Sequence, residues 1–537
     1  MDRPIGDRPA FSRSNAGTSG VARRAGVLAV GLAVAAFMPL SSFAAPVRVV
    51  HPPSSVVIPR PVPESARPVL QSYKIQFIRS QPPVPMQFGF LMTDGTVLAQ
   101  SGASNTWYKY TPDATGSYAN GTWKQVATLP SGYVPSAFAS AVLADGRLVI
   151  SGGEYNAGGH YDLQLTNLGA IYDPLKNTWT RLGHPKGWHW IGDSPSSVLP
   201  NGAFLVGQKL TKQAAYLDPK TLTWTIVPTP GKHDFNAEEG WTLLADGSVL
   251  TADVKDAPKS ERYVSSAAKW EDAGSTIVDL HSPSPYTQCL TYGPAKKDCY
   301  LPPGEIGPSI LRPDGTVFYT GSGSGPSGSG SGHTSIYHTV GKDAGKWTVG
   351  PDFPNSDNAG DSFASLLPSG NVLVFGVSGT LYEFDGTKFI TEGAVGGAPL
   401  LLPTGQVLMI GYSLSLYTPS GKPQQSWAPT ISSAPSSVTR GKTYMISGTQ
   451  FNGLSQAMSY GDEFQNATNY PLVRITNNKS GHVFYARTHD HSTMGVATGS
   501  KTVSTFFDVP KTIETGASAL QVVANGIPSM PVSVTVN

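Results

Sequence analysis

AVLADGRLVISGG, residues 141–153, is the stretch that decides the fold. A short apolar run ends at Asp145-Gly146, turns, and returns as a second apolar run closed by Gly152-Gly153. Asp-Gly between apolar runs signals a hairpin, because glycine accepts the positive φ of the corner at no steric cost. The pattern recurs in LMTDGTVLAQSG (91–102), SVLPNGAFLVG (197–207), TLLADGSVLTAD (242–253), ILRPDGTVFYTGSG (310–323), SLLPSGNVLVFG (365–376) and LLPTGQVLMIG (401–411). Seven copies result, with turn glycines Gly95, Gly146, Gly202, Gly247, Gly315, Gly370 and Gly405. Short-strand repeats at roughly 35–70 residue spacing predict propeller blades rather than one sandwich.

The composition agrees with many turns and few helices. Of 537 residues, 59 are Gly and 45 Pro, and 14% are charged, against ~25% in an average domain. The formal net charge is +2. With no dense Lys/Arg stripe, nucleic acid is not expected as a partner. A near-neutral, aromatic-rich surface leans towards carbohydrate or another small polar ligand, bound by a monomer.

Residues 1–45 read as an export signal peptide: Arg23-Arg24, an apolar run from Ala25 to about Leu40, and Ser42-Phe43-Ala44 before Ala45. That run is shorter than the ~20 residues of a spanning helix. No later stretch is a transmembrane candidate, so a secreted, periplasmic or extracellular protein is expected, and the arginine pair raises a twin-arginine route. Residues 46–72 are proline-rich and read as a linker. YKIQFIRS (73–80) should then supply the outer strand of the last blade and close the ring, removing two open edges. The seven-bladed propeller is expected over 73–427.

Each turn copy is followed by a tyrosine-bearing run and then a tryptophan-bearing one, clearest in IYDPLKNTWTRL (171–182). Trp123, Trp179, Trp224, Trp270 and Trp347 share that place, and Phe389 takes it in the sixth copy. Gly-Gly, Tyr and Trp at these offsets resemble the kelch repeat, and the aromatics read as inter-blade core. Beyond Trp427 the Asp-Gly hairpins stop, and residues 428–537 read as an immunoglobulin-like β-sandwich. The fold class is therefore all-β.

The residue nine before each turn glycine should lie near the axis: Met86, Ala137, Asp193, Glu238, Ile306, Asp361 and Gly396. Asp193, Glu238, Asp361 and Glu305, beside Ile306, thus put carboxylates on one rim. Loops leading there add His189, His233, Asp234 and Glu239 as secondary candidates. The two readings of these acids are a ligand or metal site and acceptors for backbone N–H groups of adjacent blades. Cys289 and Cys299 are the only cysteines. In an exported protein they read as a disulfide, contributing roughly 3 kcal/mol by loop entropy. His489 and His491 form a His-x-His pair, which on a regular strand projects both rings to one side, a usable metal geometry; the alternative reading is a hairpin packed against the propeller floor with its polar groups satisfied there.

Seven kelch-like blades, the YPLVRITN run (470–477) leading to a His-bearing hairpin, and the terminal VVANGIPSMPVSVTV (522–536) resemble the galactose oxidase and glyoxal oxidase family. That resemblance spans about residues 73–537 and implies that the end domain is of the early-set type. It also implies a hairpin rising through the channel to offer a copper-ligating His, whose counterpart would be His489 or His491. The rest of the family's copper apparatus is not matched. Met86, Gln87 and Phe88 stand where a Cys is needed, Ala137-Phe138 replace the cross-linked Tyr, and Gly360-Asp361 replace a Tyr-His pair. Copper-radical oxidation is therefore not expected. Three functions stay open: a carbohydrate or cell-envelope binding protein; an enzyme, an oxidoreductase or hydrolase acting on a sugar or alcohol; and a structural scaffold. The enzyme reading would hold one divalent metal ion among Asp193, Glu238, Asp361, His489 and His491.

Overall fold

The computed structural model describes residues 74–102, 104–156, 165–282, 304–322 and 332–537, and the backbone of 288–289 and 299–300. The signal and linker expected before residue 74 lie outside the described residues, as do the side chains of Cys289 and Cys299. The backbones of these two cysteines face one another across a short antiparallel ladder. Among the described residues, no helix is long and apolar enough to cross a membrane.

The fold is a seven-bladed β-propeller followed by a β-sandwich. Each Asp-Gly-type turn joins the inner strand of a blade to its second strand. The inner strands are Met86–Leu91, Ala139–Val142, Ser196–Val198, Thr242–Leu243, Ser309–Leu311, Ala364–Leu366 and Ala398–Leu401, in blades 1 to 7. The turns share one geometry: each glycine N–H donates to the carbonyl three residues earlier, as Gly146 does to Leu143. The glycine sits at φ between 75° and 88°, left-handed space that penalises a Cβ. Aspartates 94, 145, 246 and 314 each accept the N–H two residues on, which fixes the corner.

Blade 7 is closed from a distance. Its outer strand is Ile75–Phe77, paired antiparallel with Ser415–Tyr417, so the two ends of the propeller chain share one sheet. Lys74 fastens the closure with an ion pair to Glu392 at 2.6 Å. The repeat aromatics pair across strands, as Tyr172 does with Trp179 (5.1 Å between centroids), and also span blades, as Trp107 does to Trp179 (4.9 Å).

The end domain packs its own core around Ile446, Val473, Ile475, Phe507, Val522 and Val534. Between its strands Thr443–Thr449 and Leu472–Asn477 the chain leaves the sandwich and enters the propeller axis. There Met458–Ser459 adds a fifth strand to blade 6, pairing with Ala364 and Ser365.

This inserted plug bonds to every blade. Asn466 donates to Gly89 O and Pro399 O in blades 1 and 7, and Gln465 O accepts from Ser140 of blade 2. Gln456 bridges Ser197 of blade 3 to the Leu243 N–H of blade 4, and Ser459 accepts from the Ser309 N–H of blade 5. Phe464 packs among Phe88, Phe138 and Tyr460, with centroids 4.6, 5.2 and 5.8 Å away. Four-stranded blades surround a central channel; here residues 454–466 fill it.

Candidate functional site: a carboxyl hub on the propeller axis

The plug sets Asp462 against blades 3 and 4. Lys209, which follows the second strand of blade 3, lies with its side chain only 4% exposed between three acids. Its Nζ is 2.5 Å from Asp193, 2.5 Å from Glu238 and 3.3 Å from Asp462. Asp361 joins from blade 6, where Tyr460 donates to it at 3.4 Å. Glu305 of blade 5 lies beside Asp361, and Glu463 beside Asp462. Glu154 of blade 2 is 6% exposed and lies within electrostatic reach of Asp193, Lys209 and Asp361.

Seven carboxyl groups therefore share one ammonium. Oxygens of Asp193, Glu238 and Asp462 lie within 4.8 Å of one another. Two full charges at that spacing repel by about 3.5 kcal/mol at an effective dielectric near 20, while each short Lys209 contact attracts by about 6. Lys209 favours the ionised forms of Asp193 and Asp462, whereas Glu238, although it touches Lys209, and the remaining acids favour their protonated forms.

The titration behaviour follows. Burial drives Glu154, Glu238, Glu305 and Glu463 well above the usual carboxylate range, with neighbouring acids adding to the shift. Burial lifts Asp361 to about 7 and Asp193 to about 6, the latter held back by Lys209. Asp462 is the exception: burial works against its charge, but Lys209 and hydrogen bonds from Glu463 and Glu238 bring it below its ordinary value. Lys209 is itself raised, its burial penalty outweighed by the acids around it. Asp193 Oδ1, Asp361 Oδ2 and both Glu463 oxygens are buried and have no hydrogen-bond partner.

Glu238 (φ 58°) and Asp361 (φ 50°) have left-handed backbones, as does Ala137 (φ 51°) at the equivalent place in blade 2. A non-glycine residue there costs of order 1 kcal/mol or more. Because Ala137 shares it, the strain belongs to the way a loop enters an inner strand, not to the acids. Glu238 and Glu305 are the partly exposed members of the hub, and the others are buried.

The structure brings Asp193, Glu238, Glu305 and Asp361 together and leaves the expected histidines elsewhere. His489 and His491 do not enter the channel. The strand Val483–His489 stays in the end-domain sheet, and Asp490 at φ 50° ends its alternation, so the two rings part. His489 bonds to Asp490 and Asp508 at 2.8 and 3.3 Å. His491 stacks on Tyr470 and bonds to Thr505, and burial depresses it to about 3. Its N–H reaches Ala144 O in the blade 2 hairpin, at the opposite end of the inner strand from the hub acids. The channel is filled instead by the earlier excursion at 454–466, which bonds to the inner strands of the blades. His189 is exposed, while His233, Asp234 and Glu239 belong to a separate cluster in blade 4.

Sequence reasoning missed Lys209, Glu154, Asp462 and Glu463. A signal existed for the last two: they are the only charged residues between Lys442 and Arg474. Glu154 and Lys209 occupy corresponding places just after the second strands of blades 2 and 3.

No protein-family model matches the sequence, and no curated protein does. Among solved structures, the chain is similar to a fungal alcohol oxidase of the AA5 family in complex with copper. Identity there is 15%, the match covers 86% of this chain and 98% of that one, and the TM-score is 0.47. It is similar also to a streptogramin B lyase at 12% identity, over 64% of this chain and 96% of that one (TM-score 0.41). A third is the extracellular domain of a putative one-component system from B. thetaiotaomicron, at 10% identity over 86% and 58% (TM-score 0.40).

Proposed function

We propose that the protein binds a hydroxyl-rich ligand of the carbohydrate class at the carboxyl hub, reached past Glu238 and Glu305. The supporting observation is a set of buried carboxyl oxygens without a hydrogen-bond partner: Asp193 Oδ1, Asp361 Oδ2 and both oxygens of Glu463. A carboxylic acid both donates and accepts a hydrogen bond, and a sugar hydroxyl does the same, so protonated Asp361 and Glu305 suit vicinal hydroxyls. Lys209 with Asp193 and Asp462 supplies a fixed charged floor.

The copper-radical group implied by the family resemblance does not fit this donor set. Among the described residues, the groups that contact one another here are carboxyls, phenols and one ammonium, with no imidazole nitrogen to complete the N,O ligand set that suits copper. The divalent ion that the enzyme reading of the sequence would hold loses its imidazole ligands at the hub, because His489 and His491 sit elsewhere, and Lys209 Nζ already contacts all three acids of the trio.

A second reading is a hydrolase or lyase. It is favoured by Asp361, lifted to about 7 beside a raised Glu305, since general acids work best with pKa values near the operating pH. A glycan array followed by calorimetry of wild type, Asp361→Asn and Glu305→Gln distinguishes the readings. Sugar binding that weakens at least tenfold in both variants supports the proposal. Turnover of a bound sugar promotes the enzyme. A chain that prefers no glycan leaves a scaffold role and removes the proposal.

A further inference from the structure

Glu238 and Glu239 are adjacent yet serve different places. Glu238 faces Lys209, while Glu239 turns into the body of blade 4. There Lys232, fully buried, donates to Glu239 at 2.9 and 3.1 Å and to Glu261, with its ammonium 4.4 Å from the Trp270 ring centroid. Asp234 is satisfied by the N–H groups of Phe235, Val254 and Lys255. Asp253 is different: its side chain is wholly buried and neither oxygen receives a hydrogen bond. Facing it at 3.9 Å is His233 Nδ1, also buried and also without a hydrogen bond.

Two buried, unpartnered ligand atoms thus confront each other beside an acidic pair. Oxygens of Glu239, Asp253 and Glu261 lie within 4.8 Å of one another. Oxygen ligands about 2.0–2.2 Å from one tetrahedral ion stand about 3.3–3.6 Å apart, so side-chain rotations that close the group by up to about 1.5 Å complete the site. Charge counts the same way: with Asp234 in electrostatic reach as well, four buried acids face one ammonium, an excess of negative charge that a dication offsets. The hub trio differs, because Lys209 there contacts all three acids, whereas Lys232 contacts Glu239 and Glu261 but not Asp253.

We propose that Asp253, His233, Glu239 and Glu261 form a binding site for one divalent transition-metal ion. Carboxylate with imidazole suits Mn²⁺ or Zn²⁺ more than Ca²⁺. The ion enters from the His233 side, whose side chain is 34% exposed. Bound there, it ties the loop at 232–239 to the second and third strands of blade 4 and steadies the backbone that presents Glu238. The site is independent of the hub's ligand.

The test uses the full folded chain purified without chelator. Elemental analysis should find about one Mn²⁺ or Zn²⁺ per chain, and stripping with chelator should lower the melting temperature, with recovery on adding back either metal. Asp253→Asn should abolish uptake while Asp361→Asn, in the hub, retains it. His233→Ala, a partly exposed position tolerant of change, should bind at least about tenfold more weakly and covers the case in which Asp253→Asn folds poorly. Wild-type protein that takes up neither metal and melts identically with and without chelator overturns the proposal. So does an ion lost from Asp361→Asn but kept by Asp253→Asn.

Discussion

Lys209→Met removes the hub's ammonium while keeping an unbranched apolar stem of similar length. Asp193, Glu238 and Asp462 would then have no cation, in a place where the Lys209 side chain is 4% exposed. Breaking a buried ion pair by deleting one partner costs about 3–5 kcal/mol, because the charge left behind is uncompensated. The acids can escape that cost only by taking up protons, so the penalty must depend on pH. Lys209 has a raised folded-state value, so its stabilisation is complete below its unfolded value and is lost only as pH rises through the folded one. In wild type the contribution is therefore whole across pH 5 to about 9. In the variant the acids protonate cheaply near pH 5 and expensively near pH 8. Urea unfolding at the two values should show a loss of about 1–2 kcal/mol at the lower pH and about 3–5 kcal/mol at the higher. An equal loss at both, or none at either, refutes the charge assignment.

Wild-type stability should itself fall between pH 5 and 8. Asp193 (about 6) and Asp361 (about 7) bind protons more tightly folded than unfolded, so their contribution is present at low pH and lost as pH rises through those values; a denaturation midpoint that climbs over this range contradicts it. Phe464→Ala should cost about 3–5 kcal/mol, the usual loss for a buried Phe, read by the same unfolding curves. Gly240→Ala places a Cβ 2.2 Å from Gly461 O and should push the plug off Lys209, weakening both stability and sugar binding; an unchanged variant would mean the plug does not sit tightly there. His489→Ala should leave sugar binding unaltered, since His489 lies on the end domain against Asp508.

The wheel could be read in the chain because a glycine-cornered hairpin is a local event, repeated seven times, and its nearest neighbours in sequence settle it. The four rim acids were legible for the same reason, being counted back from those corners. The plug was not legible. Its strand is two residues long, Met458–Ser459, and is specified by blade 6, by Asn466 reaching blades 1 and 7, and by Gln456 reaching blades 3 and 4, all distant in sequence. The His489–His491 hairpin carried the more conspicuous chemistry, yet one left-handed residue, Asp490, turns that pair aside. Lys209 was hidden because a lysine after a strand is ordinarily solvated; only the convergence of three acids makes it internal.

Ligand binding at the hub is tested most directly by a crystal structure of the protein with the best sugar from the array. Sugar hydroxyls should bond to Asp361 and Glu305, with Lys209 still holding Asp193 and Asp462 beneath. A sugar lodged on an outer blade face or on the end domain, with the hub acids unmoved, contradicts it.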